Sequence, residues 1–231
     1  MRLCVIGTSH VATLKLGWAG LAAQHPGVVP TFFAAPLGKL AGLKPEGGRL
    51  VSADAETRAL LMASAGFAEV IPAEYDAVLL AGMRLYVPRL DGRMSVALRM
   101  ATLADAVAGP AMTLAKRIRR LVPLPIWFAH EPLWADLPRY RRGEGHLVPY
   151  AQLLAQMQAG IPLRQAVLLA QPPQTISPAQ LTPLAFSVET APVEVVEASG
   201  RVFDQVHMNG AFGAAWWTAN LPVLRVSPPR G

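Results

Sequence analysis

Three short, almost wholly apolar runs constrain this 231-residue chain more than any other feature. They are Leu3-Cys4-Val5-Ile6, Asp76-Ala77-Val78-Leu79-Leu80-Ala81, and the stretch from Leu124 to Ala129; each ends at a glycine or a polar residue. They lack the apolar–polar alternation of a half-exposed strand, so they predict strands buried on both faces. Further strands are expected over Val28–Ala35, Ala166–Ala170 and, briefly, Arg49–Ser52. Between them lie stretches that read as helices: Val11–Gln24, Glu56–Ala65, Arg93–Arg120 with a break near Gly109-Pro110, and Val148–Gln158. A final helix is expected over Gly210–Asn220. Alternating strands and helices predict an α/β chain, a three-layer α/β/α sandwich around a mainly parallel sheet. The length suits one domain over residues 1–231. Pro172 to Pro192 reads as a long irregular loop, and the chain is expected to continue in loops as far as Asp204.

Composition narrows the function classes. Hydrophobic residues make up 52% of the chain and charged ones 16%, which excludes a disordered chain. The net charge of +6 collects in Lys116-Arg117-Ile118-Arg119-Arg120 and Arg139-Tyr140-Arg141-Arg142. No nucleic-acid module accompanies these clusters, so they read as a solvated helix end and a loop, and no nucleic-acid partner is expected. Cys4, the single cysteine, lies inside a buried run; it can form no intramolecular disulfide and makes a poor nucleophile. Gly7, Ser9 and His10 interrupt the first apolar run before a signal-peptide core could form. No stretch reaches the ~18 consecutive apolar residues of a membrane span. The expectation is a cytoplasmic protein with no membrane partner. His10, His25, His130 and His146 show no metal-ligand spacing, and no metal or organic cofactor is expected.

Sites in parallel sheets form just beyond the carboxyl ends of the strands. Here those ends carry Gly7-Thr8-Ser9, Gly38, Gly82-Met83-Arg84 and His130-Glu131. Ser9 stands between a strand and a helix. It could cap that helix, or it could use the helix amino end, whose unpaired N–H groups favour a developing negative charge. Asp204-Gln205-Val206-His207 adds a second element. A carboxylate three residues before a histidine, on one turn, can bond Nδ1 and leave Nε2 to take a proton from a serine.

Together these segments resemble the SGNH/GDSL hydrolase superfamily. Ile6-Gly7-Thr8-Ser9-His10 resembles its nucleophile block, with Thr8 in place of the usual Asp or Asn. The stretch from Phe32 to Gly38 is similar to the glycine block. Asp76 to Gly82 is similar to the strand that carries the G-x-N-D block, with Arg84 where the family has an asparagine. Asp204-x-x-His207 resembles the last block. The four follow the family's order over nearly the whole chain. The resemblance implies a flavodoxin-like, SGNH-type sheet and a serine esterase acting on a small acyl ester, with an O-acetylated carbohydrate as the leading substrate. It implies Ser9, Asp204 and His207 as the catalytic residues, and Ser9, Gly38 and Arg84 around the oxyanion. His10, Gly82, His130 and Glu131 would line the substrate.

Two other readings stay open. The start Val5-Ile6-Gly7-Thr8-Ser9-His10-Val11-Ala12 has only the first glycine of a dinucleotide fingerprint, and no acidic residue follows the second strand. A non-catalytic glycan-binding protein on the same fold would use Arg84 and the tryptophans Trp134, Trp216 and Trp217, although such tryptophans more often pack under a loop or against the sheet.

Overall fold

A computed structural model describes residues 1–141, 144–189 and 203–226, and at positions 144, 189 and 203–205 the backbone alone. The chain opens with β1 (Arg2–Gly7), α1 (His10–Ala19), β2 (Val29–Ala34), α2 (Leu37–Ala41), β3 (Lys44–Glu46), β4 (Arg49–Val51) and α3 (Ala55–Ala65). It continues through β5 (Ala77–Ala81), α4 (Val96–Val107), α5 (Pro110–Leu121), β6 (Ile126–Ala129), α6 (Tyr150–Ala159) and β7 (Ala166–Leu169). It closes with β8 (Ser187–Glu189), β9 (Phe203–Met208) and α7 (Gly210–Arg225).

Five strands form the central sheet in the order β2-β1-β5-β6-β7, every pairing parallel. The order reverses direction at β1, which puts a crevice beyond the ends of β1 and β5. It is the flavodoxin-like order, not the 3-2-1-4-5-6 order of a dinucleotide-binding Rossmann sheet. Successive strand residues supply opposite faces. Cys4 and Ile6 join Phe33, Val78, Leu80 and Phe128 in a core covered by residues of α2 through α6. Leu3 and Val5 join Leu79, Trp127 and Leu169 under α1 and α7. Both cores draw on the same strands, so the runs are apolar throughout and the protein is a three-layer α/β/α sandwich.

Local chemistry ends the helices where the sequence provides for it. Asp54 caps α3 by accepting from the N–H groups of Glu56 and Thr57, and Gly66 stops it in the left-handed conformation at φ 82°. Asn209 caps α7 by accepting from the Phe212 N–H. The break at Gly109-Pro110 separates α4 from α5 as predicted.

The structure corrects two expectations. The region before Asp204 is expected as loop, yet it holds β8 (Ser187–Glu189), which pairs antiparallel with β9. The last helix continues past Pro222 to Arg225. Arg49–Val51 is the short extra strand expected; it pairs with β3 in a hairpin outside the main sheet, and Leu50 also bridges to Val70. The basic cluster is largely structural. Arg117 donates to the carbonyls of Ala41 and Leu43 at 2.7 and 2.6 Å, and Arg119 to that of Arg164 at 2.7 Å. Arg139 lies over the Tyr140 ring, and Arg141 pairs with Asp136; Arg142 is outside the described residues, as are positions 190–192 of the expected long loop. Among the described residues no helix is long and apolar enough to cross a membrane.

Candidate active site

The end of β1 delivers Ser9 to the crevice. Gly7 pairs with Ala34 of β2 on one side and Ala81 of β5 on the other, so the chain leaves the middle of the sheet at a fixed point. The Thr8 carbonyl accepts from the Val11 N–H and the Ser9 carbonyl from the Ala12 N–H, which starts α1 at once. Ser9 occupies the cap position, but its side chain makes no capping hydrogen bond. Its Oγ instead lies 2.7 Å from Nε2 of His207. Capping therefore does not account for the hydroxyl, and residues 198 positions apart share a proton-transfer distance.

His207 reaches that point from β9. β9 packs against α1, where Oγ1 of Thr13 donates to the Met208 carbonyl at 2.6 Å, a buried bond between the two segments. Asp204 belongs to the same strand. The D-x-x-H spacing predicts a single turn, whereas the backbone over Phe203–Met208 is extended. The Asp204 side chain itself lies outside the described residues.

The end of β5 makes the opposite wall. Gly82, Met83 and Arg84 are three successive residues with positive φ, at 71°, 61° and 59°. For Met83 and Arg84 this costs roughly 1–2 kcal/mol each, so the surroundings must hold them. The Gly82 N–H donates to the Ala129 carbonyl at 2.9 Å, and the Arg84 N–H to Oε1 of Glu131 at 2.8 Å. The Glu131 N–H returns to the Leu85 carbonyl at 2.6 Å. Burial pushes the Glu131 carboxyl above the usual carboxylate range, opposed by the Arg84 N–H and the Arg84 charge. Gly82 also makes room: a Cβ there would stand 2.6 Å from Cδ2 of His10 and 3.0 Å from Oγ1 of Thr8. The His10 ring lies against this turn, its centroid 5.7 Å from that of His207.

The chain is similar to a crystal structure of a candidate acylhydrolase from Bacteroides fragilis, with a TM-score of 0.48 and 9% identity, over 97% of this chain and 86% of that one. No family model and no curated protein matches it.

The remaining expected site residues divide. Ser9, His10, Gly82 and His207 meet at the ends of β1, β5 and β9. Arg84 and Glu131 line a cavity of ≈ 320 Å³ that opens beside them, together with Tyr86, Trp134 and Val206. Val206 precedes His207 in β9 and Arg84 follows Gly82 by two residues, so the lining is drawn from the same two segments that carry His207 and Gly82, although neither Ser9 nor His207 lines it. Gly38 is the second residue of α2, exposed beyond the end of β2, next to β1 in the sheet. His130, expected against the substrate, is buried and held within the fold. Its Nδ1 lies 2.5 Å from the Glu131 carbonyl and its Nε2 2.8 Å from the Tyr150 hydroxyl. That hydroxyl also accepts the Gln171 N–H at 2.7 Å, so it donates to a neutral ring. Burial lowers the His130 pKa to about 4.

The tryptophans divide as well. Trp216 and Trp217 are 4% and 0% exposed in the α1/α7 core, whereas Trp134 is 53% exposed at the cavity. Tyr86, Arg89 and Val206 were not singled out in the sequence. Their only signal there is position, five and eight residues beyond a buried strand or beside His207. Among the described residues no group of three or more His, Cys, Asp or Glu side chains is arranged to hold a metal ion.

Proposed function

We propose that this protein is a serine hydrolase that cleaves small acyl esters, with Ser9 as nucleophile and His207 as general base and acid. The single observation that carries the reading is the 2.7 Å approach of Ser9 Oγ to His207 Nε2. A hydroxyl at that distance from an imidazole nitrogen can pass its proton to the ring as it attacks. The position of Ser9 at the amino end of a 10-residue helix supports the same reading, because N–H groups there are not consumed by the helical ladder.

In the proposed first half-reaction, the Ser9 proton moves to His207 Nε2 and Oγ bonds to the ester carbonyl carbon. The carbonyl oxygen takes the negative charge and is held by the Ser9 and Gly38 N–H groups, an arrangement inherited from the SGNH/GDSL resemblance. The carbon–alkoxy bond then breaks, and His207 gives its proton to the departing alkoxide. In the second half, water loses a proton to His207 and attacks the acyl carbon; the carbon–Oγ bond breaks to release the acid, and His207 returns the proton to Ser9 Oγ. Asp204 is proposed as the group that steadies His207. His10 and Gly82 border the reacting centre, and an O-acetylated carbohydrate fits the family range.

Hydrolysis of 4-nitrophenyl acetate by the wild type, Ser9→Ala and His207→Ala proteins tests the reading. Turnover by the wild type and its loss in both folded variants is the expected result. Full activity in either variant overturns the assignment.

A further inference from the structure

The cavity beside His207 has a chemical character that ester hydrolysis alone does not require. Two guanidinium groups, of Arg84 and Arg89, and one carboxylate, of Glu131, face it, so its formal balance is positive. Arg89 is anchored by donating to the carbonyls of Tyr140 and Ala179, which leaves its charge in place. The Glu131 carboxylate already accepts the Arg84 N–H. Arg84 differs from both. It is exposed, it takes part in none of the ion pairs among the described residues, and it stands on the left-handed turn that Glu131 fixes. A strained backbone held by a half-buried carboxyl is a costly way to present a solvated arginine, and such strain gathers at ligand sites. Trp134 and Tyr86 flank the same space, 53% and 40% exposed.

We infer that this cleft takes an anionic substrate: Arg84 holds a carboxylate on the non-reacting part of the ester, and Trp134 and Tyr86 cover the hydrocarbon between that carboxylate and the scissile bond. This rests on the serine hydrolase reading and names the substrate class for the same site. The volume, ≈ 320 Å³, lies at the small end of ligand pockets and suits a short acid half-ester better than a long acyl chain. A planar guanidinium matches a carboxylate in a two-pronged contact, which discriminates the anion from an uncharged chain of equal length. It also assigns Arg84 to recognition, away from the oxyanion.

The test compares the 4-nitrophenyl half-ester of glutaric acid with 4-nitrophenyl pentanoate, which has the same acyl length without the charge. The wild type is expected to favour the half-ester by about tenfold in kcat/KM, the scale of one charge-assisted contact. Arg84→Gln is expected to bring that ratio close to one, through KM. Equal use of both esters by the wild type overturns the inference and leaves the hydrolase standing. So does an equal loss of kcat on both esters in Arg84→Gln, which would place the guanidinium at the oxyanion. A second measurement needs neither turnover nor a fold-sensitive variant: calorimetric binding of 4-phenylbutyrate and 4-phenylbutyramide to the Ser9→Ala protein. The acid is expected to bind about tenfold more tightly, and equal binding or none overturns the anion site. Tight binding of the acid without turnover of either ester by the wild type would remove the hydrolase reading alone.

Discussion

Gly17 of α1 and Gly213 of α7 touch backbone to backbone. A Cβ on Gly17 would stand 2.1 Å from the Gly213 carbonyl carbon, and one on Gly213 would stand 2.1 Å from the Thr13 carbonyl oxygen. The crossing lies eight residues after Ser9 and six after His207 in sequence. It therefore sets how closely the start of α1 approaches the end of β9. The Thr13–Met208 hydrogen bond and the Trp217 indole, which donates to the Leu14 carbonyl at 2.7 Å, reinforce the same contact.

Gly213→Ala is expected to wedge the two helices apart. The added methyl meets backbone, not a movable side chain, so the cost should be about 1–3 kcal/mol of stability. It should also lower kcat, because the Ser9–His207 distance changes. Denaturant melts with steady-state kinetics on one ester measure both. A variant with wild-type stability and kcat would show that the crossing does not govern the pair.

Thr13→Val removes the hydroxyl that satisfies the buried Met208 carbonyl. A loss of about 1–3 kcal/mol is expected from the unpaired acceptor. Urea unfolding of the variant beside the wild type measures it, and a difference below the error of the melts would assign the contact no energetic role.

The pair itself makes the strongest kinetic prediction. Ser9→Ala and His207→Ala should each lower kcat by at least ~10³-fold, and the double variant should lose little more, because the residues act as one unit. A fluorophosphonate should label the wild type and not Ser9→Ala. Asp204→Asn should keep the fold and lower kcat by ~10²-fold or more if the carboxylate steadies the imidazole; unchanged kcat would release Asp204 from the site.

His130 predicts a pH dependence. Its pKa in the folded protein is lowered to about 4, mainly by burial, against 6.5 for an ordinary histidine. Between these values the unfolded chain takes up a proton that the folded protein refuses, so stability falls as pH falls through the window. The contribution is fully present above pH 6.5, and about 3 kcal/mol is lost by pH 4. Unfolding free energies of wild type and His130→Leu between pH 7 and 4 check it. The slope should be shallower in the variant, and parallel slopes would contradict a buried neutral ring.

The sequence alone determined the central sheet and the place of Ser9. Leu3 to Ile6, Ala77 to Ala81 and Ile126 to Ala129 are covered on both faces, so burial writes itself into every residue of each run, whatever the neighbours. Ser9 follows because a strand that ends at Gly7 and a helix that begins at His10 leave it on the carboxyl edge. Only the tertiary structure decided the rest. Phe203 to Met208 is half polar, and it is a strand because β8 lies beside it; pairing of that kind depends on a partner remote in the chain. The fates of His130, Trp134 and Trp217 turned on which side of the sheet and which end of a strand each met, and residue type does not carry that information. The Ser9–His207 approach is the clearest case. It depends on two glycines that allow two helices to touch, a relationship between surfaces that no local run of residues encodes.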